Sequence, residues 1–432
     1  MLLNFSILQA QVLIKVEMDE AVIAARKFPW AIKLIANQVS VISAKEIAQA
    51  NQANTADLLQ NSGQVLVQKS QQGGGSPIMR GFEANKILLV VDGVRMNNAI
   101  YRAGHLQNSI TIDQFSLEKI EIVNGPGSVL YGSDALGGVI HFYTKSPAFS
   151  NSKKILVKGN VASRYATTNN EITNQVSLSV ANNKWGSYTS YTQSAFGDLR
   201  QGANRSAAMG DLGKRNFYQG RINGKDTMLV NDNPNIQKGS AYQQYDLIQK
   251  LVWKQNENMS HVVNFQLSNS TNVPRYDRLT ETNSAGIFKS AEWYYGPQNR
   301  LLLSYQAQLK QGKFYDQGNI TLSHQALEES RHNRNWNNST LNHRIENVTV
   351  NAINLDFEKK YKNTENIIHQ YAPIDSPQII KKFFKRWKPD VIFFTESEIW
   401  PNQIFYAKNN GIPIILLNAR ISNKSFIKWK LI

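Results

Sequence analysis

Between residues 148 and 360 the chain keeps placing apolar side chains at every second position, and a period of two commits this stretch to β-strands with two unlike faces. Ile155, Val157, Val161 and Tyr165 fall on one face, opposite Lys154, Lys158, Asn160 and Arg164. The pattern returns in 171–180 and in 301–310, where Leu301, Leu303, Tyr305, Ala307 and Leu309 face away from Ser304, Gln306, Gln308 and Lys310. Less regular copies occupy 246–254, 261–268, 319–324 and 348–357. Asn182-Asn183 and Gln311-Gly312 supply turns, while the polar stretches 201–239 and 271–290 read as outer loops. Alternation in segments of about ten residues suits a transmembrane β-barrel, and a soluble β-sandwich alternates as well. Composition narrows the choice. With 18 Phe, 17 Tyr, 8 Trp and a mean hydropathy of -0.40, the chain is too aromatic for disorder and too polar for a helical membrane protein. Its longest apolar runs, 87–91 and 412–417, are far short of the roughly 20 residues of a spanning helix, so a membrane role is left to strands or a surface contact.

The chain has no Cys, which excludes disulfides and thiolate metal sites. Its 48 Lys+Arg exceed its 32 Asp+Glu without clustering, which implies attraction to anionic surfaces and no nucleic-acid partner. Residues 1–16 are apolar in tone but interrupted by Asn4, Ser6, Gln9 and Gln11, with no basic residue in front, and make a poor secretory signal. Two readings follow: export directed by residues outside this sequence, or a chain that stays inside. An acidic pair and a β-prone run come next, Asp19, Glu20, Ala21, Val22, Ile23 and Ala24. Such a segment either adds as a strand to a partner's sheet or serves as an ordinary first strand.

Residues 35–147 read as a small mixed α/β unit. Val39–Ile42 predicts a strand, and Ser43 followed by Glu46 a capping box that opens a helix; Thr55–Gln60 predicts another. The run 86–91 enters Asp92-Gly93, a tight-turn dipeptide, and resumes at Val94. Glycines punctuate 124–142 without a Gly-Lys-Ser/Thr or a long following helix, so close backbone packing explains them better than a phosphate loop.

In order and spacing, MDEAVIA, MRGF, LLVVDGVRMN and LEKIEIVNGPGSVLYGSDALGGVIHFYTK resemble the plug of the TonB-dependent outer-membrane receptors. The resemblance implies a TonB box at 19–24, in a segment spanning 1–34, and a plug at 35–147. Its motif positions are Arg80, Gly81, Phe82, Asp92, Gly93, Gly125, Pro126, Tyr131, Gly132, Gly137 and Gly138. It further implies a partial barrel over 148–360, with TonB and its inner-membrane energising complex, an iron-bearing ligand such as haem or a siderophore, and outer-membrane lipid as partners. Residues 97–106 look most like plugs of haem- and transferrin-type receptors, which makes Tyr101 and His105 candidate ligand contacts; a loop histidine bonded to its own plug is the competing reading. A 22-stranded plugged barrel needs at least 300 to 400 residues at about 10 a strand plus connections. Some nine strands are expected here, so the chain is expected to hold the plug and first strands of a receptor without its remainder. His324, Glu328 and His332 have the spacing of a helical metal site but lie in strand-like sequence; no metal and no cofactor is expected.

After residue 360 the pattern changes to βαβ: an amphipathic helix over 378–387, a buried strand over 390–394, a helix over 403–410 closed by Gly411, and a second buried strand over 413–418. HQYAPIDSP, RWKPDVIFFTESEIWPN and GIPIILLNARISNKSF resemble the Kdo (ketodeoxyoctulosonate) transferases of lipopolysaccharide core synthesis. By that resemblance Glu396, Glu398, Asn402, Asn418 and Arg420 are transferase-like positions in 361–432, while the family's catalytic carboxylate and nucleotide-sugar lobe have no counterpart. The expected fold is therefore an α+β plug, an incomplete antiparallel transmembrane β-barrel and a short glycosyltransferase-like α/β fragment. The expected function is energy-coupled uptake at the outer membrane of a Gram-negative bacterium, with no catalytic residue; the alternative is a Kdo transferase fragment, inactive alone.

Overall fold

A computed structural model describes residues 21–25, 27–32, 35, 37–83, 86–96, 100, 108–125, 127–359, 373–395 and 400–417. A short antiparallel ribbon comes first, β1 (Ala21–Val22) against β2 (Trp30–Ala31). The plug follows with β3 (Gln38–Ser43), α1 (Ala44–Ala50), α2 (Thr55–Asn61), β4 (Leu66–Gln68), β5 (Ser76–Met79), β6 (Phe82–Glu83), β7 (Ile87–Val91), β8 (Val94–Arg95), β9 (Leu117–Asn124), α3 (Ser128–Tyr131) and β10 (Gly138–Thr144). The sheet order is β3-β9-β10-β7-β8, with β10 and β7 parallel. The capping box at Ser43 and Glu46 forms as the sequence predicts. So does the Asp92-Gly93 turn, both residues having positive φ (46° and 85°).

Alternate residues of β7 serve two cores. Leu89 and Val91 join Leu58, Leu59, Ile120, Ile140 and Phe142 on one face. Leu88 and Val90 pack with Val123, Tyr131, Val139, Ala24 and Ala25 on the other, so the amino-terminal segment is itself part of the plug's second core. Burial on both faces makes 87–91 a continuous apolar run without alternation.

The second body is an antiparallel wall whose long strands are β11 (Leu156–Ala166), β12 (Glu171–Ala181) and β13 (Trp185–Phe196), and further along the chain five more. The connection after β13 carries β14 (Leu199–Arg200), the hairpin β15 (Phe217–Ile222) and β16 (Lys225–Val230), and β17 (Ile236–Gln237). Then come β18 (Tyr242–Lys254), β19 (Met259–Ser270), β20 (Val273–Pro274), α4 (Tyr276–Leu279), β21 (Ser290–Tyr295), β22 (Asn299–Lys310), β23 (Gln317–Asn335) and β24 (Asn342–Glu358). The order is β11-β12-β13-β18-β19-β22-β23, with β24 and β21 both on β23 and β20 on β21. Among the described residues eight strands are long, against the nine expected. β13 lacks a clean sequence signature because small polar residues such as Ser187, Thr189, Ser190 and Thr192 fall on both of its faces.

The wall is inverted relative to a soluble sheet. In β12 the polar residues Glu171, Thr173, Gln175, Ser177 and Ser179 are buried, whereas Ile172 is 52%, Val176 50% and Leu178 47% exposed. Apolar side chains pointing away from a polar interior fit a wall whose outer solvent is lipid. Trp185, Trp253 and His261 stack in succession, and His261 Nδ1 lies 2.7 Å from Tyr305 Oη, making an aromatic row at the end of the short turns. The sandwich reading fails on this inversion. No helix among the described residues is long and apolar enough to cross a membrane.

His324, Glu328 and His332 lie along extended β23, where a rise of about 3.3 Å per residue spreads His324 and His332 over roughly 26 Å. His332 instead lies 2.6 Å, Nδ1 to Nδ1, from His343 on β24. No group of three metal-ligating side chains gathers among the described residues.

The carboxyl-terminal unit comprises α5 (Pro377–Trp387), β25 (Ile392–Thr395), α6 (Pro401–Asn409) and β26 (Ile414–Leu417), the two strands parallel. Ile380, Phe384 and Ala407 form its core. The strands are expected to be buried; Phe393 (56%) and Ile415 (41%), cross-strand partners on one face, are exposed because two helices cover only the other face of a two-stranded sheet, and Leu416 (45%), on that other face, is left exposed as well.

Candidate functional site

Glu121 sits in β9 between Ile120 and Ile122 and is wholly buried, so its carboxylate must be satisfied from inside the protein. Its Oε2 accepts the amides of Ile23 (2.9 Å) and Ala24 (2.6 Å), residues 98 and 97 positions earlier, and the Tyr143 hydroxyl at 3.1 Å. Lys119 Nζ lies 2.6 Å from Oε1. The carbonyl of Ala24 accepts from Tyr131 Oη at 2.9 Å, and Val22 and Ala24 are fully buried. Outside the plug, Lys27 pairs with Asp356 at 2.6 Å, and Trp30 Nε1 donates to Glu358 at 2.7 Å, both acceptors on β24. The segment is thus docked on the plug and strapped to the wall.

Tyr143 continues the network inward. Its hydroxyl lies 2.9 Å from His141 Nδ1, and His141 Nε2 accepts the Gly93 amide at 2.9 Å. One proton arrangement satisfies every group: Gly93 N–H to Nε2, Nδ1–H to Tyr143, and Tyr143 O–H to Glu121. It requires a neutral imidazole. Burial depresses the His141 pKa to about 4, outweighing the upward pull of Glu121 and Asp92, while Lys119 and Lys27 push it further down. Next to Gly93, Asp92 accepts from Thr144 N (3.0 Å) and Oγ1 (2.6 Å), Asn264 Nδ2 (2.8 Å) and Gln266 Nε2 (3.3 Å), and lies 3.3 Å from Lys250 Nζ. Lys250, Asn264 and Gln266 belong to β18 and β19. A cavity of about 340 Å³ lies alongside, lined by Ile23, Lys27, Tyr131, His141, Tyr143 and Asp92 among others.

The structure brings Val22, Ile23, Ala24, Tyr131, Asp92 and Gly93 into this one site, and Ala21 pairs with Ala31 in the β1–β2 ribbon. Arg80, at positive φ, donates to Gln38 at 2.9 Å, next to Gly81 in the same turn. Gly137 backs directly onto Phe82, where an added Cβ would come to 2.5 Å, and at Gly138 it would come to 2.6 Å from the Val123 carbonyl. Gly125 and Gly132 hold positive φ on either side of α3. Asn402 donates through its amide and its Nδ2 to Asp375 at 2.8–3.3 Å. Asp19, Glu20, Tyr101, His105, Pro126, Glu396, Glu398, Asn418 and Arg420 lie outside the described residues. Sequence reading did not single out Glu121, His141 and Tyr143. The available signal was a glutamate and a histidine inside strands apolar on both sides, since ionisable groups there need dedicated partners.

Plug, inverted wall and docked segment define a plug-and-barrel class of fold. Residues 32–139 match the TonB-dependent receptor plug domain, and residues 348–432 match 3-deoxy-D-manno-octulosonic-acid transferase, a stretch that begins within β24. The chain therefore joins a stretch that matches a TonB-dependent receptor plug, followed by a wall of antiparallel strands, to a stretch that matches a Kdo transferase. Relatives include the vitamin B12 transporter BtuB of Vibrio vulnificus (35% identical; 32% of this chain, 22% of that protein) and the hemin receptor of Yersinia pestis (39%; 26% and 16%). The probable mitochondrial 3-deoxy-D-manno-octulosonic acid transferase of Arabidopsis thaliana is 49% identical over 15% of this chain and 14% of its own length. Among solved structures, the FrpB iron transporter of Neisseria meningitidis superposes with a TM-score of 0.55 at 14% identity, over 74% of this chain and 46% of that one. The copper transporter OprC gives 0.50 at 13%, over 68% and 38%. The chain spans less than half the length of each.

Proposed function

We propose that the chain acts in energy-coupled uptake across a Gram-negative outer membrane, with residues 19–24 as the TonB box and an iron-bearing ligand, haem or a siderophore, as cargo. The observation that carries this reading is the docking of residues 22–25 into a plug beside a wall whose apolar side chains point outward. A segment held by a few hydrogen bonds at the short-turn end can be released and paired with a partner's strand. The name of one relative, a hemin receptor, supports an iron-bearing cargo. The test is direct. A peptide of residues 16–28 binds the periplasmic domain of TonB, and Val22→Pro, which removes an amide donor and fixes φ, weakens it at least about tenfold; equal affinities would defeat the assignment.

For residues 361–432 the reading is a transferase fragment without activity of its own. Catalysis by positioning needs donor and acceptor held together, and this segment offers one small core of two helices and two strands.

A further inference from the structure

We propose that Glu121 is the clasp of the amino-terminal segment, and that Tyr143 and His141 are positioning residues that tie the clasp to the seat of Asp92 on the barrel wall. The amides of Ile23 and Ala24 share one carboxylate oxygen, so withdrawal of Glu121 strands two donors at once, one half-buried and one buried. That oxygen is aimed by Tyr143, Tyr143 by His141, and His141 by the Gly93 amide in a two-residue turn whose other member is Asp92. His141 also stacks on Tyr143 with ring centroids 4.0 Å apart, so the two rings move together. Asp92 grips the wall through Lys250 on β18 and through Asn264 and Gln266 on β19, and Lys250 also donates to the carbonyl of Thr144, the Asp92 partner next to Tyr143, at 3.0 Å. A shift of β18 or β19 against the plug therefore pulls the Gly93 amide from His141 and frees Tyr143 to turn from Glu121. The direct straps, Lys27 to Asp356 and Trp30 to Glu358, end on a different strand, β24, so the relay and the straps report separate movements of the wall.

The inference borrows from the receptor reading only the name of the segment; the docking itself can be measured without any partner. Because the chain has no Cys, Ala25→Cys supplies a single thiol at a position 7% exposed, and its rate of maleimide labelling in the full chain reports undocking. Ala56→Cys, 1% exposed in the other core, reports unfolding of the plug. Glu121→Ala is expected to speed labelling at position 25 at least about tenfold, and His141→Phe, Tyr143→Phe and Asp92→Ala about fivefold each, the scale of one lost hydrogen bond. Position 56 stays protected throughout. Combining Asp92→Ala with His141→Phe adds nothing beyond either alone, because both cut one chain. Where a plug variant also exposes position 56, the wall-side pair Lys250→Met and Asn264→Leu replaces it, with the same fivefold gain expected. A gain for Glu121→Ala with none for Asp92→Ala or the wall-side pair overturns the relay, as does additivity; no gain for Glu121→Ala overturns the clasp. If a clasp-free chain undocks yet fails to bind TonB, the receptor reading falls while this inference stands.

Discussion

Single residues in this plug are fixed by what their neighbours would otherwise lose. His141 is 3% exposed and must stay neutral to accept from Gly93, so its folded pKa of about 4 lies below the ordinary 6.5. The unfolded chain then binds a proton that the folded one refuses, and stability falls as pH drops through 6.5 towards 4. The full penalty, reached below about pH 4, is roughly 3 kcal/mol, and none is felt above about pH 7. Denaturant midpoints of the plug taken near pH 7 and near pH 4.5 are expected to separate by less in His141→Phe than in the native chain. Equal separation in both would show that other groups carry the acid sensitivity. Gly138 makes the same point sterically, since a Cβ there would meet the Val123 carbonyl.

At the scale of elements, the two bodies obey opposite rules of burial. β7 packs apolar side chains on both faces, while β12 buries its polar side and offers Val176 and Leu178 outward. Arginine at Val176 would sit on the lipid face and cost about 2–4 kcal/mol near the middle of the bilayer. At the neighbouring Gln175, Leu forfeits the buried bond from Nε2 to Ser190 Oγ (2.9 Å), about 1 kcal/mol, and the half-buried bond that Oε1 accepts from Asn160 Nδ2 (3.0 Å), worth less. Unfolding midpoints in lipid vesicles are expected to rank Val176→Arg well below Gln175→Leu; the reverse order would place water, not lipid, outside β12. Most of these elements were legible in the sequence. The capping box at Ser43, the Asp92-Gly93 turn and the alternation of β11, β12 and β22 are local signals, and each formed where it was read. β13 escaped because its small polar residues blur the two faces, and β25 and β26 looked buried because an apolar run does not say how many helices will cover it.

For the whole molecule, the decisive fact is that two unrelated grammars share one chain. The carboxyl-terminal unit keeps its own core, around Ile380, Phe384 and Ala407, and leaves Phe393, Ile415 and Leu416 exposed. The purified full chain is expected to transfer no Kdo from its activated nucleotide sugar to a lipid A precursor. Transfer that disappears in Glu396→Ala would reverse this reading. The plug is expected to survive separation from the wall, because both of its cores close within residues 22–142, and loss of cooperative melting in a fragment of residues 18–147 would count against that.

Sequence alone determined the plug's order of turns and strands, the two-residue apolar period of the wall and the change of pattern after residue 360. These are written in neighbours a few positions apart, where period and turn chemistry act. The capture of Ile23 and Ala24 by Glu121, the neutral His141 between Gly93 and Tyr143, and the grip of Asp92 on β18 and β19 were decided only by the tertiary structure. Their partners are separated by tens to hundreds of residues, except for His141 and Tyr143 on one strand, and whether a buried ionisable group finds its bonds depends on which strands the fold sets side by side.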